Sequence, residues 1–182
     1  MLMSSSRKVR YIAVSAVIAA MYAGLTYLAA AMNLAYGPVQ FRFSEALTVL
    51  PVFTPAAVPG LMLGCLIANL TSPFGIVDWV FGTLASFVAA VGTLSLSRVR
   101  YKGIAWLAPL PPVIANAVIV GFELCCFSEA GVFSWGNASL AGFLAGAVSV
   151  GIGELVVCYA LGVPLMIAIE KTGLNRLMAS AG

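Results

Sequence analysis

The chain has 182 residues, 62% of them hydrophobic and 8% charged, with no histidine and a formal net charge of +3. Soluble domains carry about 25% charged residues, so this composition cannot cover a water-soluble globule, and a mean hydropathy of +1.07 places the chain in the membrane class. Without histidine there is no Ser-His-Asp system and no mixed Cys/His zinc site, and no G-x-x-x-x-G-K-[ST] loop marks an ATP-hydrolysing chain.

The first predicted helix covers about residues 10–33. Arg7, Lys8 and Arg10 precede it, and Ala29-Ala30-Ala31 resembles a small-residue cleavage site. The apolar run from Tyr11 to Leu34 is nevertheless too long for a signal-peptide core of about 7–15 residues, so a retained helix is expected. It carries a small-residue stripe, Ala16, Ala20 and Gly24, and an overlapping pair, Ala19 and Ala23. Such stripes let helices approach closely, within one chain or against a separate membrane protein.

The stretch GPVQFRFSEALTVLP, residues 37–51, gathers Gln40, Arg42, Ser44 and Glu45 in an otherwise apolar region. Phe41 and Phe43 alternate with the polar residues, as in a short extended piece with one greasy and one wet side. Pro38 stiffens the approach to this piece, and Arg42 is expected to pair with Glu45, three residues on. Two short apolar segments follow, at about 43–54 and 57–70, separated by Pro51, Pro55 and Pro59, because proline cannot sit silently inside a regular helix. Further helices are expected at about 78–96, 104–127 and 140–169. The architecture is an all-α integral membrane protein, a single domain over 1–182 with six transmembrane helices.

Charge placement orients this layout. With six crossings, Arg7, Lys8, Arg10, Arg98, Arg100, Lys102, Lys171 and Arg176 share one side, and of the nine basic residues Arg42 alone falls opposite. The positive-inside rule makes the crowded side cytoplasmic, with both termini inside. The basic run at 98–102 is thereby explained as topogenic, and no nucleic-acid partner is expected.

The carboxylates tell a complementary story. Glu45, Asp78, Glu123 and Glu129 lie toward the outer ends of their segments, Glu154 near mid-depth, and Glu170 inside. Asp78 has a structural reading as an N-cap after the Pro73–Gly75 turn, and Glu129 reads as a loop residue in water. Asn116 and Glu123 are seven apart, so they share one helix face about 10 Å from each other. Ala147, Gly151, Glu154 and Cys158 form a polar-and-small stripe, which serves helix packing or a flat ligand. A carboxylate in hydrocarbon is expensive and usually faces a cavity or a partner. Cys65, Cys125, Cys126 and Cys158 read as small packing residues. No metal site and no cofactor are expected in this chain, and no catalytic residue. Polar groups at one end above an apolar floor describe a one-sided pocket better than a through-pore.

Two stretches, YGPVQFRFSEALTVLP (36–51) and NLTSPFGIVDWVFGTLAS (69–86), resemble the QueT family, whose members are queuosine-precursor substrate-binding subunits of energy-coupling factor transporters. The resemblance implies a six-helix subunit (an S-component) of the bacterial plasma membrane that captures a micronutrient from outside. It implies a transmembrane coupling subunit and two cytoplasmic ATPases as partners, the ATP being used by the latter, and a toppling motion that turns the pocket inward. On this resemblance, Ala16, Ala20 and Gly24, or Ala19 and Ala23, meet the coupling subunit, and the loop from Gly37 to Arg42 closes over the ligand. The ligand is then a 7-deazaguanine, flat and aromatic, one form bearing a cationic aminomethyl arm. Glu123 and Glu154 are the first candidates to accept from its ring N–H and amine groups, with Glu45 and Asp78 next. Asn116 or Gln40 donates to the ring carbonyl, and Trp79, Phe81 or Trp135 stacks on the ring. Two other readings stay open: an S-component for another vitamin-like solute, and an autonomous proton-coupled carrier using Glu123 or Glu154.

Overall fold

Prolines and glycines cut the apolar sequence into rods. The computed structural model describes residues 5–36, 39–128 and 130–179; Gly37, Pro38 and Glu129 of the readings above lie outside them. The described residues are all-helical: α1 (Ser5–Ala31), a 3-10 helix (Phe43–Val52), α2 (Ala57–Asn69), α3 (Ile76–Leu96), α4 (Leu110–Cys125), a short 3-10 turn (Trp135–Asn137), α5 (Leu140–Val157), a π-helical segment (Cys158–Gly162), α6 (Val163–Thr172) and α7 (Leu174–Ala179). Three rods are long and apolar enough to cross a membrane: Ser5–Ala31, Ile76–Leu96 and the continuous Leu140–Thr172.

The segment expected as a helix over 43–54 is a 3-10 helix, not an α-helix. Pro51 lacks the N–H that an α-helical bond to Leu47 needs, and the Thr48 hydroxyl takes the Glu45 carbonyl at 2.5 Å. At about 2.0 Å per residue such a segment spans roughly 20 Å, short of a hydrocarbon core of about 30 Å. It runs down from Arg42 toward Pro55, where the Tyr11 hydroxyl meets the Pro55 carbonyl, and α2 returns to Asn69 beside Arg42.

The helix expected over 104–127 starts only at Leu110. Tyr101 and Ile104 close a tight hairpin turn, and Pro109, Pro111 and Pro112 confine the start because proline is tolerated only in the first turn. The helix expected from Asp78 starts at Ile76, after Gly75 at φ +63°, a left-handed conformation that glycine adopts without strain. Asp78 is therefore not the N-cap; it lies in the first turn and is buried. The continuous helix expected over 140–169 is widened at Cys158–Gly162, just before Pro164.

Packing inverts the soluble pattern. Ile12, Val17, Leu28, Val80, Ile114, Val148 and Ile152 are exposed, whereas Arg42, Glu45, Asn69, Asp78, Asn116, Glu123 and Glu154 are buried. Apolar side chains outward and polar ones inward is the arrangement lipid dictates. Small residues bring the rods together. A Cβ on Gly64 would sit 2.9 Å from the Ala19 carbonyl oxygen and one on Gly60 2.8 Å from that of Ser15, so α1 and α2 approach backbone to backbone. Gly121 and Ala147 do the same for α4 and α5. The main core joins Ile18 and Tyr22 of α1, Leu47 and Leu50 of the 3-10 helix, Leu61 of α2 and Met166 of α6. Opposite ends of the bundle are marked by Arg42 and Asn69 on one side and by an Arg100–Glu170 ion pair at 2.5 Å on the other.

Candidate ligand site

The stretch before the 3-10 helix builds the site. Arg42 is extended at φ −92° and ψ 109°, so neighbouring side chains alternate in direction. Gln40, Arg42 and Ser44 are buried while Phe41 and Phe43 are half-buried. The wet side of this piece thus faces the protein interior. Its backbone lies directly on α5: a Cβ on Gly153 would be 1.9 Å from the Gln40 carbonyl oxygen, so no residue larger than glycine fits that seat.

Arg42 does not pair with Glu45. Its Nη2 lies 3.7 Å from Asp78 Oδ2, its Nη1 donates to Asn69 Oδ1 at 3.5 Å and its Nε to the Ala35 carbonyl at 3.3 Å, and the guanidinium sits over the Tyr36 ring at 5.1 Å. Asn69 in turn donates to the Asp78 backbone carbonyl at 3.0 Å. The expected pairing fails because Glu45 is engaged elsewhere: the Tyr22 hydroxyl donates to Glu45 Oε1. Burial works against the charge of Arg42, but the neighbouring Asp78 carboxylate favours it, and the pKa moves above the ordinary arginine value. Arg42 therefore stays a cation at the centre of the site.

The other carboxylates surround it. Glu123 and Glu154 both lie within electrostatic reach of Arg42, and Glu123 also of Asp78. Glu154 Oε2 accepts from the Cys158 thiol at 3.4 Å. Glu123 is 1% exposed, and neither of its oxygens has a hydrogen-bond partner among the described residues. Asn116 Nδ2, Trp79 Nε1 and Thr83 Oγ1 are buried without partners as well. Buried polar groups are nearly always hydrogen-bonded. Unsatisfied donors and acceptors on the adjoining helices α3 and α4 make this a candidate place for a polar ligand.

The candidates from sequence separate accordingly. Glu45, Asp78, Asn116, Glu123 and Glu154 converge on the Arg42 region, with Gln40 buried beside them. Trp79 lies next to Asp78 on α3. Trp135 does not join them: it is 63% exposed and packs on Phe133, Phe81 and Phe122, at ring-centroid distances of 5.0, 6.3 and 6.3 Å. Its loop position leaves it on the outer aromatic patch, and Phe81 belongs to the same patch. The α1 stripes also part. Ala16, Ala20 and Gly24 face outward, while Ala19 and Ala23 are buried, Ala19 against Gly64 of α2, so the second pair serves packing inside the chain.

Tyr22, Asn69 and Gly153 position the candidate residues, and Thr83 adds an unpartnered hydroxyl on α3, without having been singled out from sequence. Asn69 alone left a clear signal, an amide at the end of an apolar helix, which usually needs a partner in the bundle. Tyr22, Thr83 and Gly153 look like ordinary helix residues until the neighbouring rods are in place.

Comparison with known proteins places the chain in a family. A family model described as QueT transporter matches residues 12–171. The queuosine precursor transporter QueT of Lactococcus lactis subsp. cremoris (strain MG1363) is 35% identical over 86 residues, 47% of this chain and 50% of that protein. The match thus spans about half the length of that curated relative. No solved structure matches the chain. An apolar-outside, polar-inside helical bundle matched along most of its length by one transporter model is a member of the QueT transporter family, a family of transporters and not of enzymes.

Proposed function

We propose that this chain is the ligand-capturing membrane subunit of an ATP-driven importer of the energy-coupling factor type, and that its ligand is a 7-deazaguanine precursor of queuosine. The observation that carries the reading is Glu123, a fully buried carboxylate with both oxygens free of partners. A guanine-type ring offers what it lacks, a ring N–H and an exocyclic amine side by side. The ring carbonyl answers the unpartnered donors Asn116 and Trp79. Family membership and the name of the Lactococcus relative favour this ligand over other flat solutes.

On this reading the chain crosses the bacterial plasma membrane six times with both termini in the cytoplasm. The 3-10 helix and α2 supply a thin second and third crossing. The site then opens to the outside, since Arg42 and Asn69 lie at the end away from Arg100. The exposed Ala16-Ala20-Gly24 face of α1 meets the coupling subunit, whose ATPases use the ATP.

Calorimetry on the purified chain tests the ligand: a 7-deazaguanine should bind and unrelated vitamins should not. Reconstitution tests the mechanism. Uptake into vesicles should require the coupling subunit, ATPases and ATP. Uptake by this chain alone, driven by a pH gradient, would replace the reading with a proton-coupled carrier.

A further inference from the structure

The carboxylates around Arg42 are not equivalent. Asp78 Oδ1 accepts from Asn69, and its Oδ2 faces Arg42 at 3.7 Å without a hydrogen-bond partner. Glu154 accepts from Cys158. Glu45 has one oxygen taken by the Tyr22 hydroxyl, while its Oε2 is buried without a partner. Glu123 has both oxygens unpartnered at 1% exposure. Glu123 on α4 thus offers two open oxygens and Glu45 on the 3-10 helix one, while the open Oδ2 of Asp78 already faces the Arg42 cation at 3.7 Å.

We propose that Glu123 reads a paired donor edge of the ligand with both oxygens, and that Glu45, left with one oxygen by Tyr22, accepts a single amine from another part of the same molecule. The assignment rests on the ligand being a 7-deazaguanine. Two parallel N–H bonds to one carboxylate need donors fixed in a plane, as in the ring N–H and exocyclic amine of the guanine edge. An alkylammonium arm is a compact donor that needs only one oxygen and a negative charge. Tyr22 is then a positioning residue. It fixes the orientation of Glu45 and removes the second oxygen, so the ring edge meets a matched acceptor only at Glu123. Glu154, expected from sequence to share the reading of the ligand, differs from Glu123 in having its Oε2 beside the Cys158 thiol at 3.4 Å.

The experiment is calorimetry on the full, detergent-purified chain with three probes: 7-aminomethyl-7-deazaguanine, 7-cyano-7-deazaguanine, and the aminomethyl compound lacking its exocyclic ring amine. Wild type should bind the last about 100-fold more weakly than the first, because a buried carboxylate oxygen is left unpaired. In Glu123→Gln that ratio should shrink to within about fivefold, while the preference for aminomethyl over cyano persists. In Glu45→Gln the pattern should reverse, with the aminomethyl preference lost and the ring-amine ratio kept. Equal wild-type affinity for the compound without the ring amine overturns the assignment whether or not either variant folds. So does a full ratio retained by Glu123→Gln, or both variants moving the same ratio. If no deazaguanine binds wild type at all, the ligand reading itself falls and takes the assignment with it; binding with the wrong ratios removes the assignment alone.

Discussion

Two buried polar groups in this bundle are treated in opposite ways. Around Arg42, Asn69 and Asp78, opposite charges face each other and an amide bridges them. Around Asn116 and Glu123, burial is just as deep, yet the side-chain amide nitrogen and both carboxylate oxygens stand without partners. On the proposed reading, the first arrangement stabilises the fold and the second is kept for the ligand. Stability measurements on detergent-purified variants, read as unfolding midpoints with and without ligand, separate the two.

The largest expected effect is at the compensated group. Asp78→Ala leaves the Arg42 guanidinium buried and uncompensated and should destabilise the fold by about 3 kcal/mol. An unchanged midpoint would mean that this pair is not structural. Next comes Gly64→Leu, which drives a side chain into Ala19 and Tyr22 of α1; overpacking of this kind costs about 1–3 kcal/mol. Tyr22→Phe removes the hydroxyl that Glu45 accepts and should cost about 1–2 kcal/mol. Arg100→Ala breaks a half-exposed ion pair at the far end and should shift stability by at most about 0.5 kcal/mol. Glu123→Gln should be nearly neutral for stability in the absence of ligand, since it exchanges one unpaired buried polar group for another of the same shape. A large destabilisation by Glu123→Gln would break the comparison, because it would reveal a partner that holds this carboxylate in the fold.

Much of the scaffold was legible in the residues because lipid imposes a simple rule on composition and length. α1 and α3 are read almost to their ends, since each is one long apolar run. The errors fall where proline acts at a distance. Pro51 turned an expected α-helix into a 3-10 helix, and the prolines around Leu110 shortened α4. For the site, the carboxylates were legible because any acidic group in so apolar a chain demands a reason. Their partners were not. Arg42 and Glu45 are three apart, which made pairing look natural, but Tyr22 and Asp78 are brought in by rods distant in sequence. Likewise Ala16-Ala20 and Ala19-Ala23 are indistinguishable as patterns, and the position of α2 alone decides which stripe is covered.

The π-helical segment settles how one rod serves two unlike neighbourhoods. Upstream, α5 turns Gly153, Glu154, Val157 and Cys158 inward. Continued at 3.6 residues per turn, that inward line would pass near Leu161, Leu165 and Ala168. Instead Val163, Met166 and Ile169 are buried and Leu161 is 45% exposed. The wide turn absorbs roughly one residue, so everything beyond it lags by about 100° and Met166 takes the place that Leu165 would have in a regular helix. Cutting a single residue from this turn would therefore let the rod run as a regular α-helix with Met166 and Ile169 still inward and Glu154 where it is. The wide turn thus hides one surplus residue and keeps the lower apolar face turned toward the bundle.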